Sequence, residues 1–408
     1  MRTEFQKQAL LAGVFFLQAQ AIALWFVPFS GVLKSHGLAF LTPWAFAASG
    51  IAAFISPMVT GSLADRHLSA TLLLRYLALG MATMLSLTFW GIQQGWHPGV
   101  ILGLIQLLQF VSAPTWGVTS MLVMAQLPNP SRQFGGLRVW GTYGWMLAGP
   151  VVSLVLHADG STTTGFISVL AWLGVAVFTF FLPKLPTQSA RTPVQFKDLL
   201  GLETFSLLKD SQHRALFLTA GFFSIPLVAF YPYTPLHLQD LGIENVSAFM
   251  SLGQITEVLA MYALAPLLVR CRLRTLFICA IGLGIGRYGL FAMDAKWPVL
   301  AGVILHGVCF TLFFIPAQIY IEHRIPKELR FRAQALMTLL VSGFGNLFGY
   351  LGCGALKSWC TSGSQTQWPL YWGVLGCALV GVAVYFKAAY RGGPAGAGEL
   401  RQPLVHAP

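Results

Sequence analysis

Apolar residues in this chain do not alternate with polar ones. They gather in continuous runs of about 20 residues, enough for a helix to cross some 30 Å of hydrocarbon at about 1.5 Å per residue. Twelve such runs stand between charged or Pro/Gly-rich breaks: Leu10–Leu33, Leu38–Leu63, Thr71–Ile92, Pro98–Gln126, Phe134–Leu156, Gly165–Leu182, Ala215–Leu238, Ser247–Val269, Thr275–Met293, Pro298–Ile321, Ala333–Leu356 and Pro369–Phe386. Barrel strands would alternate over about 10 residues, so the runs predict helices. The expected fold class is an all-α membrane protein of twelve transmembrane helices in two six-helix bundles.

The longest polar stretch before the tail follows Pro183 and ends at His213. It divides the chain into an N-terminal bundle (1–183), a linker (184–213), a C-terminal bundle (214–390) and a disordered tail (391–408). A faint internal repeat supports the division. SPMVTGSLADRHLS closes the second run and LAPLLVRCRLRTL the eighth, each with a proline inside the run and arginine at its exit. Six-plus-six layouts of this kind belong to transporters that rock two halves about a midplane site. The first run could pass for a signal peptide with Ala19-Gln20-Ala21 as a cleavage site, but it continues to Leu33, too long for an h-region, and is read as a retained helix.

The composition fits a bilayer: 56% hydrophobic and only 9% charged residues, with 12 Trp and 31 Phe. A net charge of +12 would suggest a nucleic-acid partner, but its distribution argues against one. Of 25 Lys and Arg, only Lys34, Lys296 and Lys357 fall in loops on one side, and Arg287 falls within a run. The rest gather on the other side, the positive-inside pattern, which places both termini in the cytoplasm. The six cysteines have no CxxC spacing and suggest packing rather than a metal or a disulfide framework. No cofactor is expected.

Polar residues inside the runs are the candidates for function. Glu257, in MSLGQITEVLAMYALAPLLVR, is the one acid of 13 placed well inside a run. A carboxylate near mid-bilayer costs roughly 2.5 to 3.5 kcal/mol, so it should face a cavity or a partner. A structural ion pair is the competing reading. Gln254 lies three residues earlier on the same helix face. In RQFGGLRVWGTYGW, Arg138, Thr142 and Trp145 share a stripe, although Arg138 could instead snorkel to the headgroups. Tyr231 sits among Pro226, Pro232 and Pro235, which bend a helix that could act as a hinge or gate. Arg287 and Arg138 are alternative partners for Glu257. In LHGVCFTLFFIPAQIY, His306 and Phe310 are four residues apart on one face, and His306 could relay a proton or bond a ligand.

Gly61-Ser62-Leu63-Ala64-Asp65-Arg66 resembles the cytoplasmic loop signature of the major facilitator superfamily, without its usual basic continuation. Together with LRVWGTYGW, MSLGQITE, RYGLFA, HGVCFTLFF and FRAQALMTLLVSGFGNLFG, in order and spacing, the chain resembles the nucleoside:proton symporter family of that superfamily. The resemblance implies the major facilitator fold, a bacterial cytoplasmic (inner) membrane, nucleoside uptake, probably with proton symport, and a monomer. It also implies that the positions of Arg138, Thr142, Gln254, Glu257 and Phe310 contact the nucleoside. Where the family commonly has an Asp for proton coupling, this chain has Thr311, and His306 replaces a usual Tyr.

The residues themselves suit a ligand with hydroxyls and a flat ring. Glu257 offers acceptors, Gln254 an amide, and Trp145 and Phe310 stacking faces. With Thr311 in place, proton coupling rests on Glu257 or His306, or is lost, leaving a facilitator. A carrier of another polar solute such as a sugar is the alternative. An enzyme is not expected, since no metal cluster or nucleophile elbow is present.

Overall fold

The computed structural model describes residues 4–64, 69–182, 202–363 and 365–392. Asp65, most of the linker and the tail beyond 392 lie outside the described residues. The long helices, with kinked ones counted as one, are α1 (Glu4–Ser35), α2 (Thr42–Ala64), α3 (Ala70–Gln93), α4 (Pro98–Met124), α5 (Pro130–Pro150), α6 (Thr163–Phe181), α7 (Ser211–Asp240), α8 (Val246–Arg270), α9 (Leu273–Ala292), α10 (Lys296–Arg324), α11 (Arg332–Trp359) and α12 (Trp368–Ala389). Ten helices among the described residues are long and apolar enough to cross a membrane; α2 and α5 are not among them. The only strands among the described residues are a two-residue hairpin before α12.

Local chemistry explains the ends and bends. Ser69 caps α3, its hydroxyl accepting from the Leu72 amide at 3.3 Å, and Pro98 starts α4, where a missing N–H costs nothing. α1 breaks after Phe26, at Val27 and Pro28, and α7 breaks beyond Pro226, at Val228 and Ala229. The Pro226 carbonyl accepts from the Tyr288 hydroxyl, so the bend leaves a satisfied acceptor. α5 ends in a π-helical turn, Val151–Val155, and α11 contains another, Leu339–Gly345.

Buried hydrophobics form one cluster drawn mainly from residues 207–390 and two drawn almost wholly from residues 11–182 and Tyr350. In the first set, α1 lies on α5 and α6, and α3 on α6 and α4; in the second, α10 lies on α8 and α9, and α12 on α7 and α9. The sets meet along α2 with α11, α5 with α8, and α1 with α7. Of the five exposed tryptophans among the described residues, four (Trp44, Trp90, Trp297 and Trp359) lie at helix ends on one face of the molecule, as in an interfacial aromatic belt, and Trp140 lies within α5.

That face is also where polar bonds join the two sets. Lys34 Nζ donates to Asp240 Oδ1 at 2.7 Å, while Asp240 Oδ2 accepts from Trp368 Nε1 at 3.0 Å. Asp159 accepts from the Ser247 amide at 2.8 Å and from the Ser153 hydroxyl at 2.7 Å, and Ser153 Oγ accepts from the Ala248 amide at 3.0 Å. Gly149 fits against the Ser247 carbonyl, where an added Cβ would approach to 2.1 Å.

At the opposite face Asp210 caps α7, accepting from the amides of Gln212 and His213 at 2.8 Å each. The His213 N–H, more than any other group, holds its carboxyl below the ordinary aspartate range. Because the folded-state pKa is depressed, this stabilisation is present above the unfolded-state value and is lost as pH falls through the folded one. Asp210→Ala should lower stability at neutral pH by about 0.5 to 2 kcal/mol. It should also flatten that acid-side loss, as read from melting curves between about pH 3 and 7.

Candidate functional site

The polar residues singled out in the sequence converge where α5, α7, α8, α9 and α10 face the middle of the molecule. The convergence starts from backbone packing. Gly307 of α10 lies so close to α8 that a Cβ there would come within 2.1 Å of the Gly253 carbonyl oxygen and 2.2 Å of the Glu257 nitrogen. Thr256 Oγ1 donates to the Ile304 carbonyl at 2.5 Å, and the buried Thr311 hydroxyl donates to the Glu257 carbonyl at 3.5 Å. The α8 turn carrying Gln254 and Glu257 is thereby fixed to α10. Thr311 is engaged with the main chain and has no acidic group with which to carry a proton.

Gln254 is buried, and its Nε2 donates to the Tyr231 hydroxyl at 3.1 Å. The Tyr231 ring meets Trp145 with centroids 5.9 Å apart, Phe26 at 5.3 Å and His306 at 6.0 Å. His306 is stacked on Phe230 at 3.7 Å, and Phe310 lies 6.3 Å beyond it. Phe310 keeps 38% of its surface exposed, so this end of the aromatic group remains open.

Arg138 and Glu257 interact electrostatically across the two helix sets. Among the described residues they form no direct ion pair, and Arg138 remains exposed. Of the two cations the sequence allowed for Glu257, Arg287 is engaged by His306. Arg287 lies fully buried, with Nη1 2.5 Å from His306 Nδ1. Its guanidinium carbon is 4.7 Å from the Tyr288 ring centroid, 5.5 Å from that of Phe230 and 6.0 Å from that of Phe291. Thr142 stands half-buried one turn beyond Arg138 on α5.

Two participants escaped the sequence reading: Phe26 packs on Trp145 at 5.9 Å and on Tyr231, and Phe230 lies beneath His306. Arg287, expected as a possible partner of Glu257, orients that histidine instead. Phe26 stands in AIALWFV and Phe230 beside the Pro-rich turn, where one more aromatic in an apolar run carries no signal of its own. The site presents acceptors at Glu257, an amide at Gln254 and ring faces at Trp145, Tyr231 and Phe310, which suits an uncharged ring bearing hydroxyls.

Comparison with known proteins gives a match of residues 3–393 to the family described as nucleoside H+ symporter. The chain is similar to YegT of Escherichia coli (strain K12), 29% identical over 404 residues, covering 94% of this chain and 93% of that one. It is also similar to the nucleoside permease NupG of the same strain, 24% identical over 365 residues, covering 85% and 86%. The crystal structure of the nucleoside transporter NupG superposes with a TM-score of 0.81 at 22% identity, covering 94% of this chain and 99% of that one. At that identity the likeness establishes the fold.

Gly307→Ala should displace α8 from α10, destabilising the protein by about 1 to 3 kcal/mol through overpacking. Gly289→Ala, where a Cβ meets nothing within 4 Å, serves as the control. Melting temperatures of the two variants in detergent check this, and equal values would refute the tight contact.

Proposed function

We infer that this chain, which belongs to the nucleoside H+ symporter family, carries nucleosides together with protons across the bacterial cytoplasmic membrane. It is a transporter and not an enzyme. The observation that carries the site assignment is the Gln254–Tyr231 bond at 3.1 Å on the Glu257 face of α8, with Trp145 of α5 packed on Tyr231 from the other helix set. In this reading Glu257 accepts hydrogen bonds from the ribose hydroxyls. Gln254 reads the base, Trp145, Tyr231 and Phe310 pack on its faces, and Arg138, Thr142 and His306 complete the polar lining. A nucleoside seated there touches both helix sets and links their movement.

The proposed architecture is twelve spans in two six-helix bundles, 1–183 and 214–390, joined by 184–213 with the tail from 391. The basic loops put both termini in the cytoplasm. The face carrying Lys34, Asp159 and Asp240 is then periplasmic and closed, and the exposure of Arg138 and Phe310 supports a site reached from the cytoplasm. In this reading the protein works as a monomer.

Proton coupling is assigned to Glu257, the one acid set deep in an apolar run. Taking up a proton cancels its charge in the field of Arg138 and changes which hydrogen bonds it offers to the substrate. One group therefore senses both cargoes.

Glu257→Gln should weaken nucleoside binding by about 1.5 to 3 kcal/mol, the range for a hydrogen bond to a charged group. In proteoliposomes it should also abolish nucleoside-driven proton movement. Unchanged affinity with a lowered melting temperature would make Glu257 a structural ion-pair residue. Proton movement that survives the substitution would place the coupling elsewhere.

A further inference from the structure

The buried arginine of α9 has a role the transport reading leaves unassigned. Arg287 has no accessible surface, and its Nε and Nη2 find no hydrogen-bond acceptor among the described residues. Its Nη1 donates to Nδ1 of His306, at 2.5 Å. A guanidinium has only donors and stays protonated, so the imidazole nitrogen facing it must be the unprotonated acceptor. A neutral imidazole with a bare Nδ1 carries its proton on Nε2.

The ring cannot turn over easily to exchange its two nitrogens. It lies flat on Phe230, with centroids 3.7 Å apart and planes 10° from parallel, and meets Tyr231 edge to face. On the α8 side the ring faces Gly253, where the space left beside it is about that of one methyl group. The titratable groups against it are Arg287 from α9 and Tyr231 from α7, and Glu257 lies one turn beyond Gly253 on α8. Arg287 offers only donors, and the Tyr231 hydroxyl is already engaged by Gln254. His306 retains 7% of its surface, beside Tyr231 and Phe310.

We propose that Arg287 is a positioning residue that fixes His306 as a neutral imidazole with its proton on Nε2. His306 then serves the transported nucleoside as a hydrogen-bond donor to an acceptor atom of the base, and takes no part in carrying protons. This rests on the nucleoside reading of the site for the identity of the acceptor, but not for the tautomer. It also explains how the site works with a histidine and Thr311 together: the histidine is withdrawn from proton chemistry by a permanent cation, and coupling is left to Glu257.

The test is 15N NMR of the full-length protein labelled at histidine, in detergent or lipid, with His306→Asn identifying the signal among the nine histidines. The expected result is a neutral, Nε2-protonated pattern for His306 that persists down to about pH 5, where exposed imidazoles become doubly protonated. In Arg287→Gln the same signal should titrate or show both tautomers. An imidazolium or an Nδ1-protonated ring in the parent protein overturns the proposal. Nucleoside affinity supplies the second arm. His306→Gln, which keeps an N–H donor, should bind within about two-fold of the parent, and His306→Phe should lose roughly three- to ten-fold. Equal losses in both variants overturn the donor role. If the parent binds no nucleoside at all, the functional reading fails while the NMR arm still decides the tautomer.

Discussion

The contact on which the site depends has no side chain on one of its partners. At Gly307 the backbone of α10 touches the backbone of α8 from Gly253 to Glu257, closer than any other residue would permit. Two helices packed through ordinary side chains sit about 8 to 10 Å apart; a glycine lets them come nearer. In a membrane this matters doubly, because association gains little from the hydrophobic effect and relies on close van der Waals contact. The bonds from Thr256 to the Ile304 carbonyl and from Thr311 to the Glu257 carbonyl follow from that proximity. Glu257 is thus held on a rigid wall rather than on a mobile helix.

Facing that wall is an aromatic group contributed by both helix sets: Phe26 and Trp145 from one, Tyr231, Phe230 and Phe310 from the other. Rings can slide over one another with little loss, since their attraction depends weakly on register. Charges and amides cannot, because each needs its partner within a narrow distance and angle. At the site the seam is made of rings, while the directional bonds that cross it lie at the Lys34–Asp240 and Asp159–Ser247 face. The Gln254–Tyr231 and Arg287–His306 bonds both stay inside the second set.

Much of this was legible from residue spacing. Long apolar runs can only be helices in hydrocarbon, and a three-residue interval puts Gln254 and Glu257 on one face whatever surrounds them. A deeply placed acid had to find a cation, and spacing left Arg138 and Arg287 as the choices. Which of them it meets depends on how α9 is rotated about its axis, and a nearly uniform apolar helix gives no periodic signal from which to read that rotation. The same lack hid Phe26 and Phe230, whose importance comes from neighbours distant in sequence. α5 is less apolar than an ordinary span because it carries Arg138 and several glycines.

Asp240 shows how the closed face can open and shut quickly. One carboxylate oxygen receives Lys34 from across the seam and the other is held by Trp368 within its own helix set. When the sets part, only the first bond breaks, and the acid keeps the rotamer in which it received the lysine. Re-closure then has one side chain to immobilise instead of two, which reduces its entropic cost. The pair is also partly exposed, at 43% and 37%, so water replaces each partner as it leaves and the opening barrier stays shallow. This is a fastener tuned for turnover rather than for holding strength.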